Sequence, residues 1–168
     1  EPAYGPGLIS TEERPSLYEE IARHARESTV VRIASAFITA AEHNPLNQPM
    51  EAVTQAGGRV YILTSLMNAF NRPEALRSFT AWENLELRLY LDDPARGADA
   101  LEYAPAGFHA KSYLFHKEQA PNAVVAGSAN MTGGGFTSNI EWSYLSDFEV
   151  NAALGNEGDT PYARAVRL

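Results

Sequence analysis

Thr29-Val-Val-Arg-Ile-Ala-Ser-Ala-Phe37 is a run of strand length rich in β-branched residues, and helix signals stand on both sides of it. Before it, Ser16 can cap a helix through Arg26, because Leu17, Ile21 and Ala25 recur at helical spacing. After it, Asn44–Gln48 reads as a loop, and Pro49 suits the first turn of a helix running to Ala56. Gly57-Gly58 ends that helix, and Arg59-Val-Tyr-Ile-Leu-Thr64 repeats the strand pattern. Pro73 opens a third helix through Trp82, and Leu85–Leu91 forms a third strand. Helix followed by strand, three times over, predicts an α/β domain. Its sheet is expected to be mixed but largely parallel, with helices on both faces.

The second half of the chain changes character. Strands are predicted at Ala110–Phe115 and Asn122–Gly127, joined by a polar turn, and Gly133-Gly-Gly135 leads to another strand near Ile140–Leu145. The opening Glu1–Glu13 holds Pro2, Gly5, Pro6 and Gly7 and reads as irregular. The expected organisation is an irregular lead-in over 1–15, one domain over 16–150, and a C-terminal extension or linker over 151–168.

Composition sets bounds on function. The 168 residues are 45% hydrophobic and 20% charged, enough for one domain with a true core. Cysteine is absent, which excludes disulfides, thiolate nucleophiles and cysteine-ligated zinc and fits a reducing, cytoplasmic interior. No run approaches the roughly 20 apolar residues that span a bilayer, so no membrane insertion is expected. A chain that begins at Glu1 rather than Met is expected to be an excised domain or a processed product. The net charge of −8 weighs against nucleic acid as a partner, since phosphate neutralisation dominates such binding. A local patch, or another region of a longer protein, would have to supply the grip.

The chemistry-bearing residues lie in Phe108-His-Ala-Lys-Ser-Tyr-Leu-Phe115. Side chains two apart on a strand share a face, so His109, Lys111 and Tyr113 are expected to point one way. A nucleophilic base beside a fixed cation suits an anionic phosphate. Taken alone, a His-x-Lys triplet is a chance pattern whose default reading is a partly buried His and a solvated Lys. Val124-Val-Ala-Gly-Ser-Ala-Asn130 then ends in a small-residue turn. Gly127 allows close backbone approach, and Ser128 and Asn130 can offer a hydroxyl and an amide to one phosphate. The plain alternative is a strand-to-loop transition. Glu141, in Asn139-Ile-Glu-Trp-Ser143, can orient a histidine ring through its second nitrogen, although a lone Glu is by default a surface residue. His24, His43 and His116 form no recognised ligand spacing with carboxylates, so no metal is expected. Phe37 and Phe70 are candidates for an entrance lining, with core packing or simple exposure as the default.

Together, His109-x-Lys111, Gly127-Ser-Ala-Asn130-Met-Thr and Asn139-x-Glu141 resemble the signature half-site of the phospholipase D superfamily. The resemblance is to its nuclease-like branch, which includes bacterial phosphodiesterase nucleases and the catalytic domains of some type IIS restriction endonucleases. The stretches VVRIASAFIT, GGRVYILTS and NLELRLY are similar to that family's early strands in order, so the likeness covers residues 16–148. One position departs: His116 stands where the family's fuller pattern has Asp.

The resemblance implies a two-step displacement with no cofactor and no metal. One His attacks phosphorus and forms a phosphohistidine, and a second His protonates the leaving oxygen and then activates water. With a single motif per chain, it implies a homodimer that brings two copies of His109 together. Lys111, Ser128 and Asn130 are the implied phosphate ligands, and Glu141 is implied to hold the His ring in its protonated form. The expected substrate is DNA, within a restriction or defence protein. The alternatives are a phosphodiesterase acting on lipid or small diesters, and a non-catalytic dimerisation or binding module of a larger helicase-like protein.

Overall fold

The computed structural model describes residues 7–66, 70–90 and 108–148. Seven strands form one sheet: β1 (Gly7–Ser10), β2 (Val30–Ser35), β3 (Arg59–Ser65), β4 (Leu85–Tyr90), β5 (Lys111–His116), β6 (Asn122–Gly127) and β7 (Trp142–Phe148). Among the described residues four α-helices accompany them: α1 (Leu17–Arg26), α2 (Asn47–Gln55), α3 (Pro73–Thr80) and the short α4 (Gly133–Thr137). The strand order is β1-β7-β6-β5-β2-β3-β4.

The sheet is mixed and flanked by helices, and the parallel part is smaller than the sequence led us to expect. The β2–β3 and β3–β4 pairings are parallel, because a helix carries the chain back across the sheet between them. The pairings β2–β5, β5–β6, β6–β7 and β1–β7 are antiparallel, so antiparallel pairings outnumber parallel ones. The lead-in also departs from expectation. Gly7–Ser10 adds to the sheet edge by pairing with Trp142–Leu145, a partner so remote in sequence that no local signal announces it. The 151–168 extension lies outside the described residues.

Local chemistry accounts for the helix ends. Ser16 and Glu19 form a capping box on α1: the Ser16 hydroxyl accepts from Glu19 N–H, and the Glu19 carboxylate accepts from Ser16 N–H at 2.6 Å. Pro73 occupies the first turn of α3. Helix α4, which begins with three glycines, has poor propensity and starts because the Thr132 hydroxyl accepts from Gly135 N–H at 3.0 Å.

Strand alternation sorts the sheet into two faces. Val31, Ile33, Val60, Ile62, Tyr113, Phe115, Val125 and Leu145 lie on one, and they form a single buried cluster with Leu17, Ile21 and Ala25 of α1, Met50 and Val53 of α2, Phe79 of α3 and Phe136 of α4. Among the described residues, all four helices contribute to this cluster. The other face carries Arg32, Tyr61, Leu63, Ser112 and Leu114, which line an open cleft of about 650 Å³. Each fully buried large side chain of the core stabilises the domain by about 1.5–3 kcal/mol. No helix of the described residues is long and apolar enough to cross a membrane.

Candidate active site

The site is built where β2 ends, β5 begins and β6 passes to β7. Two residues after the last residue of β2, Phe37 lies in a loop held by buried polar anchors. Ser35, fully buried, donates its hydroxyl to Phe37 C=O at 2.7 Å and accepts from Met131 N–H at 2.8 Å. Ile38 bridges Met131 in parallel fashion, and Thr39 N–H donates to Met131 C=O at 3.2 Å. The segment after β6 is thereby fastened to the segment after β2. Ala36 N–H donates to Ala110 C=O at 3.0 Å, which fixes the approach to β5 beside the same loop.

His109 stands two residues before β5 rather than on it, so strand alternation does not govern where its ring points. The residue is exposed. Its ring meets the ring of Phe37 edge to face, with centroids 6.2 Å apart. Lys111 is the first residue of β5 and is buried, paired in register with Ser35 of β2. Its ammonium donates to the His109 carbonyl at 2.9 Å. Burial pushes the Lys111 pKa below its ordinary value, and the negative charge of Glu141 opposes that shift. Tyr113, next on the same face, is pushed up by burial and by Glu141, and its hydroxyl donates to Ala129 C=O at 2.9 Å.

Asn130 lies across from Phe37, and its Oδ1 accepts the Phe37 N–H at 3.2 Å. That bond fixes the amide plane and leaves Nδ2 as a donor without a protein partner among the described residues. Gly135 packs directly under Asn130; a Cβ there would overlap the Asn130 carbonyl, so the glycine run lets α4 sit this close.

Ser128 stands against Glu141. Its hydroxyl donates to Glu141 Oε2 and accepts from Trp142 N–H at 3.1 Å. The Trp142 carbonyl, at 3.3 Å, is a second acceptor within reach of the same hydroxyl. Glu141 Oε1 accepts from Asn139 Nδ2 at 3.1 Å. Within one chain, then, the Glu141 carboxylate is held by Ser128 and Asn139, and the described contacts do not bring it to the His109 ring. Thr11 completes the clamp: its hydroxyl accepts from Glu141 N–H at 3.1 Å and donates to Asn139 C=O at 2.8 Å, while its N–H donates to Glu141 C=O at 3.2 Å. Sequence reasoning missed Thr11 because it lies in the lead-in, and it left Asn139 without a role although it stands two residues from Glu141.

His116 does not join this group. It is the last residue of β5, ~17 Å along the strand from Lys111. Its carbonyl accepts from Thr29 N–H at 2.9 Å, at the opposite end of the sheet. His24 is buried on α1 and His43 sits in a short turn after β2, both apart from the site.

No family model and no curated protein matches the chain. Solved structures do. NucT from Helicobacter pylori superposes over 96% of this chain and 95% of its own, with a TM-score of 0.65 at 17% identity. Nuc from Salmonella typhimurium, a phospholipase D family member, superposes over 86% of this chain and 83% of its own, with a TM-score of 0.59 at 15% identity. The chain thus has a phospholipase D-like fold. A phosphatidylserine synthase from Haemophilus influenzae shares it as well, with a TM-score of 0.62 at 13% identity over 87% of this chain and 35% of its own. Within this phospholipase D-like fold the motif residues His109, Lys111, Asn130 and Glu141 stand around the ends of β2, β5 and β6.

Proposed function

We propose that this chain hydrolyses phosphodiester bonds without a metal ion, as a DNA nuclease domain of restriction or defence type whose site is shared across a homodimer. The observation that carries this reading is the convergence of an exposed imidazole at His109, a buried cation at Lys111, the uncommitted Asn130 amide nitrogen and a clamped carboxylate at Glu141 around one end of the sheet.

In this reading His109 attacks phosphorus; the bond to the leaving oxygen breaks, and His109 of the second copy gives that oxygen its proton. Water, losing a proton to the second ring, then attacks the phosphohistidine and releases the phosphate monoester. Lys111 and Asn130 Nδ2 neutralise the non-bridging oxygens. Ser128 we assign to Glu141 rather than to the phosphate, because its hydroxyl lies against the Glu141 carboxylate. The Glu141 carboxylate is engaged by Ser128 and Asn139 of its own chain, and we assign its free side to the second copy's His109. There it favours the protonated ring. One chain supplies one His109-x-Lys111 pair and two histidines are needed, hence the dimer. The absence of cysteine fits a cytoplasmic setting.

The test is hydrolysis of DNA and of bis(p-nitrophenyl) phosphate in excess EDTA, beside a His109→Ala variant. Cleavage that resists EDTA and disappears in the variant is the expected result. Cleavage abolished by EDTA contradicts the metal-free scheme, and cleavage of the small diester without DNA moves the substrate to lipid or small diesters. No cleavage of either favours a binding or dimerisation module.

A further inference from the structure

Phe70 keeps 64% of its surface exposed, while the residue that follows it, Asn71, is 4% exposed. Asn71 is an anchor. Its Nδ2 shares its hydrogens among Ser65 C=O at 2.7 Å, Ala36 C=O at 2.8 Å and Thr64 Oγ1 at 2.8 Å, and its Oδ1 accepts from Ile38 N–H at 2.9 Å. These bonds pin the backbone beside Phe70 against the loop that follows β2. Phe37 lies in that loop, and its ring meets Phe70 edge to face with centroids 4.9 Å apart. The same Phe37 ring meets His109. An exposed aromatic side chain is thus held, by a buried anchor, one ring away from the imidazole.

We propose that Phe70 and Phe37 form a stacking surface for a nucleobase adjacent to the phosphodiester held at His109, which makes single-stranded nucleic acid the substrate class. The reference to a scissile phosphodiester rests on the function proposed above, whereas the stacking contact is testable without it. Phenylalanine has no hydrogen-bonding group, so what it offers is a π-face, and every base can use it. A base in a duplex is already stacked on its neighbours, and one in a single strand is free to turn onto a protein ring. A net charge of −8 gives the chain little long-range attraction for phosphate, so a contact that is independent of charge takes on a larger share of binding.

The test is fluorescence anisotropy with a labelled oligothymidylate of about ten nucleotides, a length within the span of such sites. An abasic strand of the same length and charge serves as reference. Both are measured in a His109→Asn background so that nothing is cleaved. The oligothymidylate is expected to bind about tenfold more tightly than the abasic strand, Phe70→Ala to remove that difference, and Phe70→Trp to keep it. Equal affinity for both strands, or a difference that survives Phe70→Ala, overturns the proposal. A duplex that loses affinity in Phe70→Ala as much as the single strand does overturns the choice of substrate class. Phe70 is exposed, so its variants are expected to keep the wild-type thermal midpoint; base discrimination lost only together with a lowered midpoint in both Phe70→Ala and Phe70→Trp marks a structural role and overturns stacking. If stacking holds while the wild-type protein cleaves no diester in EDTA, the hydrolytic reading fails and the stacking surface stands.

Discussion

Ser128 gives its hydroxyl hydrogen to Glu141 and takes one from the backbone of Trp142, so the end of β6 and the start of β7 are locked through one side chain. Removing that hydroxyl leaves the Glu141 carboxylate with the Asn139 amide as its hydrogen-bond partner among the described residues. Ser128→Ala is therefore expected to lower kcat by roughly 10- to 100-fold with KM little changed, the signature of a misplaced group rather than a lost substrate contact. Steady-state kinetics on a small diester reads this directly. A rise in KM at unchanged kcat would instead assign Ser128 to the phosphate.

Gly127 precedes this junction, and a Cβ there would overlap Ser143 Oγ and the Trp142 carbonyl. Gly127→Ala has to push β6 and β7 apart where they are in register. Overpacking of this kind costs about 1–3 kcal/mol. Urea unfolding is expected to give a lower midpoint with an unchanged slope.

A site that needs His109 from two chains is sensitive to mixing. When wild-type protein exchanges subunits with an equal amount of His109→Ala, random pairing leaves about half of the wild-type chains in wild-type dimers. Activity per wild-type chain is expected to fall to about half. Activity that stays at the wild-type level after complete exchange, followed by native mass spectrometry, rules out a shared site.

The other histidine with consequences is His24, which is buried against Phe115. Burial, together with the charges of Lys117 and Arg23, holds its pKa down to about 3. In the unfolded chain the same ring takes up a proton near 6.5. Between those values the unfolded state binds more protons than the folded one, so stability rises with pH across the window. The contribution is complete above about pH 6.5 and is lost progressively as pH falls towards 3. Burial acts to raise the Glu27 pKa, but the hydrogen bond and charge of Lys117 outweigh it and leave it below its ordinary value; this loss begins at lower pH and has the same sign. Urea midpoints are expected to fall between about pH 7 and pH 5, where carboxylates are still largely ionised. His24→Gln is expected to flatten that dependence.

Much of the fold was legible because its signals are local. The β-branched runs ending at Ser35 and Ser65, the Ser16 cap and Pro73 each act within a few residues of themselves. Strand β1 was not legible, since four residues among Pro and Gly become a strand only by pairing with β7. Helix α4 was hidden behind three glycines, of which Gly135 serves close packing against Asn130. The motif positions of the site were readable from order and spacing, but their couplings were not. That Ser128 serves Glu141, that Thr11 clamps the backbone of Glu141, and that Asn71 holds the Phe37 loop all depend on contacts between distant segments.

The central claim is that His109 is the nucleophile, and covalent capture tests it most directly. The protein is mixed with a short radiolabelled oligonucleotide in EDTA, quenched in alkali to preserve phosphohistidine, digested and mapped by mass spectrometry. The account predicts a nucleotide adduct on the peptide containing His109, and none in His109→Ala. An adduct on any other residue, or label that persists in His109→Ala, contradicts it.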